Sequence, residues 1–242
     1  MRIAVVSDIH ANLPALQAVL SEIDAERPDE LWCLGDVVGY GPHPNECCAL
    51  VRGRADLCLS GNHDLAVLGT LSVEEFSGDA AAAARWTQTV LDDGSRRFLA
   101  GLSPTAERPG VSLFHGSPLD PIWSYVLDGQ TAYLSFRATT APLVLVGHSH
   151  VALDLSFDGE LVDGGVAPAG TEVELRSERR LLNPGSVGQP RDSDPRAAWI
   201  LLDTDAGRAT FRRVEYPIEE TQAAIRERGL PETLAARLSL GL

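Results

Sequence analysis

Lysine is absent from this sequence of 242 residues, and all 20 of its basic residues are arginine. The absence excludes enzymes that form a Schiff base through a lysine amine. It also excludes the phosphate-binding P-loop, in which a lysine follows a glycine-rich turn. Two large classes of lysine-dependent site are therefore ruled out.

Positive charge is scarce as well. The chain carries 34 acidic residues against 20 basic ones, which gives a formal net charge of -14. An acidic surface repels the phosphate backbone of nucleic acids and the headgroups of anionic lipids. We therefore expect neither nucleic acid nor a membrane surface as a partner, and a DNA nuclease is disfavoured for the same reason.

The chain also has no long apolar run. Its apolar start ends at Asp8, too early for the hydrophobic region of a signal peptide, and no later stretch reaches the length of a membrane span. The four cysteines, Cys33, Cys47, Cys48 and Cys58, do not have metal-ligand spacing. These observations favour a cytoplasmic protein with reduced cysteines.

Apolar strands alternate with amphipathic helices through the first 150 residues. Ile3 to Val6 is a short strand, and Asn12 is expected to cap a helix whose apolar residues recur every three or four positions. This alternation predicts parallel strands joined by right-handed crossovers. Residues 66–108 interrupt it and are predicted to form a helical insertion.

After residue 150 the pattern changes to short strands typical of antiparallel hairpins. Two of these strands flank Asp158-Gly159, a favoured two-residue turn. No linker or shift in composition divides the chain, so one domain over residues 1–242 is expected. The predicted fold class is α/β, a four-layer α-β-β-α sandwich of two mixed sheets with helices on both outer faces.

Asp36 is the central candidate residue of the predicted site. It follows Gly35, which ends an apolar run. A Gly-Asp pair after a strand is often only a turn, because aspartate readily hydrogen-bonds its own backbone. However, polar side chains follow five predicted strands in the same way: Asp8 and His10, Asp36, Asn62 and His63, His115, and His148 and His150. Because the carboxyl ends of parallel strands meet at one edge of a sheet, these side chains can share one crevice. Five of the six histidines lie at these ends, which favours a metal site over isolated histidines.

The candidate ligands offer carboxylate or amide oxygen and imidazole nitrogen, without thiolate. This set suits divalent Mn, Fe, Zn, Ni or Co. Seven candidates are too many for one ion and about right for two ions that share one ligand. Two ions roughly 3.5 to 4 Å apart can hold a bridging hydroxide as nucleophile and can clamp a phosphoryl oxygen. The cations would also make the cleft locally positive in an acidic protein.

The chain resembles the calcineurin-like metallophosphoesterases in five ordered motifs: Asp8-x-His10, Gly35-Asp36, Gly61-Asn62-His63-Asp64, His115-Gly116 and Gly147-His148-x-His150. The resemblance spans residues 1–150 and implies two metal positions. One would be held by Asp8, His10, Asp36 and His150, and the other by Asp36, Asn62, His115 and His148, with Asp36 as the bridge. The resemblance further implies that His63 is an outer-sphere acid that protonates the leaving oxygen or stabilises the phosphoryl charge, and that Asp64 orients it.

Two further segments, Gly39-Tyr40-Gly41-Pro42 and Asn183 to Arg191, look like the compact bacterial and archaeal phosphodiesterase branch of this family. That resemblance implies hydrolysis of small phosphodiesters such as nucleotides, and sometimes of phosphomonoesters. Manganese is the favoured ion, and Fe, Zn, Ni, Co and Mg are the alternatives. The chain departs from the smallest members of this branch in the insertion at 66–108 and in the tail after Arg191.

Substrate contacts are predicted near these segments. Arg191 is a candidate for contact with a substrate phosphate, because a guanidinium matches phosphate oxygens; a salt-bridged loop arginine is the alternative. Tyr40 and His43 beside the Asp36 loop are further candidates. Trp123 and Tyr125 could stack on a nucleobase or could simply pack against their neighbours.

Two other functions also fit the sequence. The same fold serves as a non-catalytic scaffold for protein interactions where the catalytic positions are lost. A phosphomonoesterase or a protein phosphatase is the other alternative, although protein phosphatases and dinucleoside tetraphosphatases are expected to carry Asp-Arg-Gly where this chain has Val38-Gly39-Tyr40. A homo-oligomer is compatible with the sequence.

Overall fold

The structure, a computed structural model, describes residues 1–242 and contains twelve strands and eight α-helices. The strands are β1 (Arg2–Val6), β2 (Glu30–Cys33), β3 (Leu57–Cys58), β4 (Thr105–Arg108), β5 (Val111–Phe114), β6 (Leu143–Val146), β7 (Ala152–Phe157), β8 (Val162–Val166), β9 (Glu172–Glu174), β10 (Arg179–Pro184), β11 (Ala197–Asp203) and β12 (Arg208–Val214). The helices are α1 (Leu13–Glu26), α2 (Pro44–Arg54), α3 (Asn62–Val67), α4 (Gly78–Val90), α5 (Asp93–Ala100), α6 (Gly129–Ala138), α7 (Ile218–Glu227) and α8 (Glu232–Ala236). Two short 3-10 helices, Val73–Glu75 and Arg237–Ser239, complete the set.

The strands form two mixed sheets of six strands each. The first has the spatial order β3-β2-β1-β11-β12-β9, and the second has the order β4-β5-β6-β10-β7-β8. Parallel pairs join β1 to β2 and β2 to β3 in the first sheet, and β5 to β6 in the second. The strands that follow residue 150 pair antiparallel with their neighbours, except that β10 is parallel to β6. Each sheet therefore has a parallel part that carries the polar strand ends.

The two sheets pack face to face, and helices cover both outer faces. Strand β6 is apolar at every position because both of its faces are buried. Leu143 and Leu145 lie in the core between the sheets, whereas Val144 and Val146 pack with Phe136 of α6 on the outer face. Helices α1 and α2 cover the first sheet in the same way. This arrangement confirms the predicted four-layer sandwich.

Helix α1 begins where the sequence predicts. The Asn12 side chain accepts a hydrogen bond from Ala15 N at 3.3 Å and so caps the helix. The buried face of α1 includes Leu16, Val19 and Ile23, which recur at helical spacing. Packing of this face against the first sheet fixes the loop that carries Asp8 and His10.

Two local expectations differ from the structure. The hairpin between β7 and β8 has a four-residue loop, 158–161, instead of a two-residue turn, because Asp158 accepts hydrogen bonds from the backbone of both Glu160 and Leu161. The predicted helical insertion also ends before residue 105, since residues 105–108 form β4 and pair antiparallel with β5. Its central part does consist of helices α4 and α5.

The helices of this fold are short. The longest, α1, has 14 residues, and no helix combines the length and the apolar character that crossing a bilayer requires. The cytoplasmic location stays a prediction.

Candidate metal centre

The polar strand ends meet at one edge of the sandwich. Backbone hydrogen bonds tie the loops together, from Asp8 N to Gly35 O (3.0 Å), from His10 N to Asp36 O (2.9 Å) and from Gly147 N to His115 O (2.9 Å). All seven predicted ligands are buried. Side chains that are more than one hundred residues apart in sequence are thereby held in one cluster.

The first group of possible ligands contains Asp8, His10 and His150, whose ligand atoms lie within 4.8 Å of one another. Asp8 Oδ1 is 3.5 Å from His150 Nε2 and 3.9 Å from His10 Nε2. Asp36 Oδ2 lies 3.6 Å from His10 Nε2 and so adjoins this group. The group can hold one cation.

The second group contains Asp36, His115 and His148, again within 4.8 Å. His115 Nε2 is 3.5 Å from Asp36 Oδ2 and 3.2 Å from Asn62 Oδ1. Asp36 Oδ2 therefore lies against both groups, which is the position that a shared ligand requires. The structure thus brings all seven predicted ligands together, in two groups that meet at Asp36.

His10 and His150 are oriented by hydrogen bonds so that the lone pairs of their Nε2 atoms face each other. His10 Nδ1 donates to Val38 O (3.1 Å) and His150 Nδ1 donates to Gln189 O (2.7 Å), because a carbonyl oxygen can only accept. Burial lowers the pKa of both rings well below the usual value, so both are neutral. Their Nε2 atoms, which carry the lone pairs, nevertheless lie 2.9 Å apart. Two facing lone pairs repel, and a cation bound by both nitrogens removes the repulsion.

In the second group, the buried Asp36 carboxylate is also stabilised by a neighbouring positive charge. Burial alone would lower the pKa of His115, but the Asp36 carboxylate, with smaller contributions from Asp8 and from a hydrogen bond to Leu34 O, outweighs it and raises the pKa to about 9. Burial would likewise raise the pKa of Asp36, yet His115 and His63 hold it below its usual range. In the metal-free protein a proton on His115 balances the Asp36 charge. A metal cation in this position would replace that proton.

Two buried atoms of the predicted ligands have no protein partner. Asp36 Oδ2 and His148 Nε2 are both buried without a hydrogen bond. Buried polar atoms are normally paired, and an unpaired one is explained when an ion binds it. Together with the facing histidine nitrogens, these atoms show that the residues present fit two divalent cations with oxygen and nitrogen ligands.

Backbone strain is concentrated in these loops. Nine residues other than glycine have positive φ, and five of them are predicted ligands: Asp8 (53°), His10 (48°), Asp36 (52°), His148 (65°) and His150 (61°). The left-handed conformation costs roughly 1 to 2 kcal/mol for a residue with a side chain. Such strain persists where the surrounding structure enforces it and is common at functional sites.

Asp64 has a different role from the one predicted. Its buried carboxylate accepts hydrogen bonds from the backbone N–H groups of Val37 (3.3 Å), Val38 (3.0 Å) and Gly61 (3.0 Å). It makes no hydrogen bond to the ring of His63, whose Nδ1 is buried without a partner. Asp64 therefore fastens the loop after Asp36 to the start of α3 and does not orient the imidazole.

The start of α3 requires a glycine at position 61. A Cβ atom added to Gly61 would lie 2.0 Å from Asp36 Oδ1, well inside van der Waals contact. The absent side chain lets the backbone of α3 approach the carboxylate, and His63 N donates to Asp36 Oδ1 at 2.9 Å. The Gly-Asn-His motif thus positions Asp36 as well as supplying Asn62 and His63 to the cluster.

A cavity of about 310 Å³ adjoins the cluster, and we call it the outer pocket. Of the predicted substrate residues, Tyr40 and Arg191 line it, and His63 and Asn62 of the cluster line it as well. The Tyr40 ring lies 4.4 Å from the His63 ring and 4.6 Å from the His10 ring, measured between centroids. His43 is not among the lining residues. Trp123 and Tyr125 do line the pocket, and Tyr125 stacks on His148 at 4.0 Å.

Sequence reasoning missed two kinds of residue. Phe76, from the segment before α4, and Arg237, from the C-terminal 3-10 helix, line the outer pocket but belong to no motif. Ser186 and Asn183 hold the backbone of two ligand loops. Ser186 Oγ donates to Asp8 O (2.7 Å), and Asn183 Nδ2 donates to Gly147 O (2.7 Å). The motif from Asn183 to Arg191 was the only signal for this support.

Several known proteins are similar to this chain in sequence or in structure. The sequence model of the calcineurin-like phosphoesterase superfamily domain matches residues 1–207. The uncharacterized protein MJ0912 of Methanocaldococcus jannaschii is 38% identical over 99% of this chain and 98% of that protein. A crystal structure of a metallophosphoesterase from Sphaerobacter thermophilus, 46% identical, superposes with a TM-score of 0.91 over 100% of this chain and 99% of that one.

A symmetrical bis(5'-nucleosyl)-tetraphosphatase of Actinobacillus pleuropneumoniae is 37% identical over 70 residues, but these cover only 28% of this chain and 26% of that enzyme. The match is thus limited to part of each protein, whereas the two preceding relatives align over their whole length. The buried Asp and His cluster and the full-length matches lead to the same assignment. This chain belongs to the calcineurin-like phosphoesterase superfamily.

Proposed function

We propose that the protein is a two-metal hydrolase that cleaves phosphodiester bonds of small molecules such as nucleotides, with phosphomonoesters as further substrates. The observation that carries the proposal is the cluster of the seven predicted ligands, six of which lie in groups of possible metal ligands that meet at Asp36, with Asn62 beside His115. A non-catalytic scaffold of the same fold has no need of this cluster, whose buried unpaired atoms and strained loops cost stability.

The proposed ligand assignment follows the two groups. Asp8, His10 and His150 would hold one ion, while Asn62, His115 and His148 would hold the other, and Asp36 would be shared. When bound, two divalent ions would activate water as the nucleophile and would withdraw negative charge from the phosphoryl group. Manganese is the ion that we propose first, because the resemblance to the compact phosphodiesterase branch implies it; the oxygen and nitrogen ligands are compatible with Mn and equally with Fe, Zn, Ni, Co or Mg.

His63 is proposed to act on the substrate from outside the metal coordination. It lines the outer pocket, and its Nδ1 has no protein partner. Burial lowers the pKa of His63 to about 4, although Asp36 opposes the effect, so the ring is neutral and offers one N–H group. In this role His63 donates a hydrogen bond to a phosphoryl oxygen or to the leaving oxygen.

The activity test uses bis-p-nitrophenyl phosphate, a diester, beside the monoester p-nitrophenyl phosphate. We expect the purified protein loaded with Mn to release p-nitrophenolate from the diester faster than from the monoester. Turnover of the monoester alone would make the protein a phosphomonoesterase. No turnover of either compound with Mn, Fe, Zn, Ni, Co or Mg would overturn the proposal.

A variant separates the two possible roles of His63, because one of its ring nitrogens also lies within 4.8 Å of ligand atoms of His10 and Asp36. We expect His63→Ala to keep two equivalents of metal and to lose most of the diesterase activity, since the ring contacts the substrate and not the ions. Metal content is measured by mass spectrometry of the dialysed protein. Loss of one equivalent would instead identify His63 as a metal ligand.

A further inference from the structure

The outer pocket contains two guanidinium groups that lie beside each other. Arg191 Nη2 donates to Gln189 Oε1 at 2.8 Å, and Arg237 Nη1 donates to the same oxygen at 3.3 Å. Both arginines are half-buried and line the pocket. One neutral amide oxygen thus fixes the positions of two positive charges.

Neither guanidinium has an ion-pair partner, although the chain has 34 acidic residues. Nine other arginines form ion pairs, and the most deeply buried of them, Arg213, is paired with Asp192. Arg191 Nε is also buried without a hydrogen bond. Two neighbouring positive charges repel, and the arrangement is stabilised when an anion binds between them.

The two arginines lie at different distances from the metal ligands. The backbone N–H of Arg191 donates to His150 O at 3.1 Å, and its Nη2 contacts the hydroxyl of Tyr40 at 3.2 Å. Arg191 therefore borders the metal cluster. Arg237 comes from the C-terminal 3-10 helix, and its contact with the site is made through Gln189. With cations bound at the cluster, positive charge would thus continue through Arg191 to Arg237, while Glu75 is the acidic residue that lines the same pocket.

We propose that Arg191 and Arg237 form a second anion subsite, which binds the neighbouring phosphate of a substrate with two linked phosphate groups while the first lies on the metals. This inference rests on the proposed function for the first phosphate. A diester with a single phosphate and uncharged organic groups would leave Arg237 without an anion. Two phosphates joined by one bridging oxygen extend along the line of charge and satisfy both arginines.

The outer pocket also provides surface for the organic part of such a substrate. Phe76 and Trp123 line it and pack against each other with ring centroids 5.2 Å apart. Aromatic faces of this kind pack against planar organic groups. A nucleoside diphosphate therefore has both chemical features that the pocket can recognise, and ADP is the probe that we choose.

The test compares the binding of AMP and ADP to the Mn-loaded protein by titration calorimetry at a fixed free concentration of Mn. We expect ADP to bind about tenfold or more tightly than AMP, because the second phosphate gains charge-assisted hydrogen bonds. In Arg237→Gln this advantage is expected to fall at least several-fold, and Arg237→Lys is expected to regain part of it.

Arg228→Gln is the matched control, because it removes the same charge from an exposed arginine of the chain outside the pocket. It should leave the ratio of the two affinities unchanged. Equal binding of AMP and ADP to the wild-type protein would overturn the inference, and so would an Arg237→Gln variant that keeps the full preference for ADP.

Hydrolysis of bis-p-nitrophenyl phosphate, measured on the same preparations, separates this inference from the proposed function. Absence of hydrolysis with a preserved preference for ADP would contradict the diesterase and support the subsite. Hydrolysis without any preference for ADP would support the diesterase and contradict the subsite.

Discussion

The Asp36 carboxylate is where the two ligand groups meet, and replacing it by the isosteric amide tests the centre of the proposed site. Its Oδ2 lies 3.6 Å from His10 Nε2 and 3.5 Å from His115 Nε2. Asparagine keeps the oxygen that accepts from His63 N but loses the negative charge. We predict that Asp36→Asn weakens both cation positions, whereas Asp8→Asn empties mainly one.

The magnitude follows from the effect of Asp36 on a neighbouring positive charge. Burial would lower the pKa of His115, but Asp36, together with Asp8 and a hydrogen bond to Leu34 O, raises it from 6.5 to about 9. This shift corresponds to about 3 kcal/mol for a single charge at the ring. Asp36 is the largest of the causes that raise this pKa, and a divalent ion carries twice the charge of a proton, so the loss of Asp36 is expected to weaken metal binding by on the order of a hundredfold.

The assay is the metal content of each variant after dialysis against a fixed free concentration of Mn, measured by mass spectrometry. The wild-type protein is expected to keep two equivalents, Asp8→Asn about one and Asp36→Asn less than one. Asp163→Asn, which changes an exposed carboxylate of β8, serves as the control and should keep two. Two equivalents in Asp36→Asn, or equal losses in Asp36→Asn and Asp8→Asn, would refute the reasoning.

Two further variants test the structure around the site. Gly61→Ala should displace the Asp36 carboxylate, since the added Cβ would lie 2.0 Å from its Oδ1, and should therefore reduce the amount of bound Mn. Gly53→Ala is the control, because the added Cβ meets no atom within 4 Å, and it should leave the bound Mn unchanged. Normal metal content in Gly61→Ala would contradict the close approach. Asn12→Ala should lower the free energy of unfolding in urea by about 3 kcal/mol, because it leaves buried partners such as Thr221 Oγ1 (2.8 Å) unsatisfied. Asn12→Asp should restore the helix cap and only part of the stability, and full restoration would show that the cap alone matters.

Much of the fold could be predicted from the sequence, because local patterns such as helix caps and apolar helix faces agree with the tertiary packing. The cap at Asn12 and the apolar face of α1 depend on neighbouring residues, and both are present. The hairpin after β7 shows the limit of such patterns. Asp158-Gly159 favours a two-residue turn, but Asp158 closes a longer loop by accepting from two backbone amides. Several turns fit the same residues, and strand register decides between them.

The sequence by itself determined which side chains gather at the cluster. Each predicted ligand follows a strand, and parallel strands bring their carboxyl ends to one edge, so order along the chain was enough to predict their proximity. The tertiary structure alone decided the role of Asp64 and the composition of the outer pocket. Asp64 contacts the backbone of a loop that begins 27 residues earlier, and Arg237 reaches the pocket from the end of the chain. Neither contact follows a periodic pattern, because both depend on how separate segments pack in space.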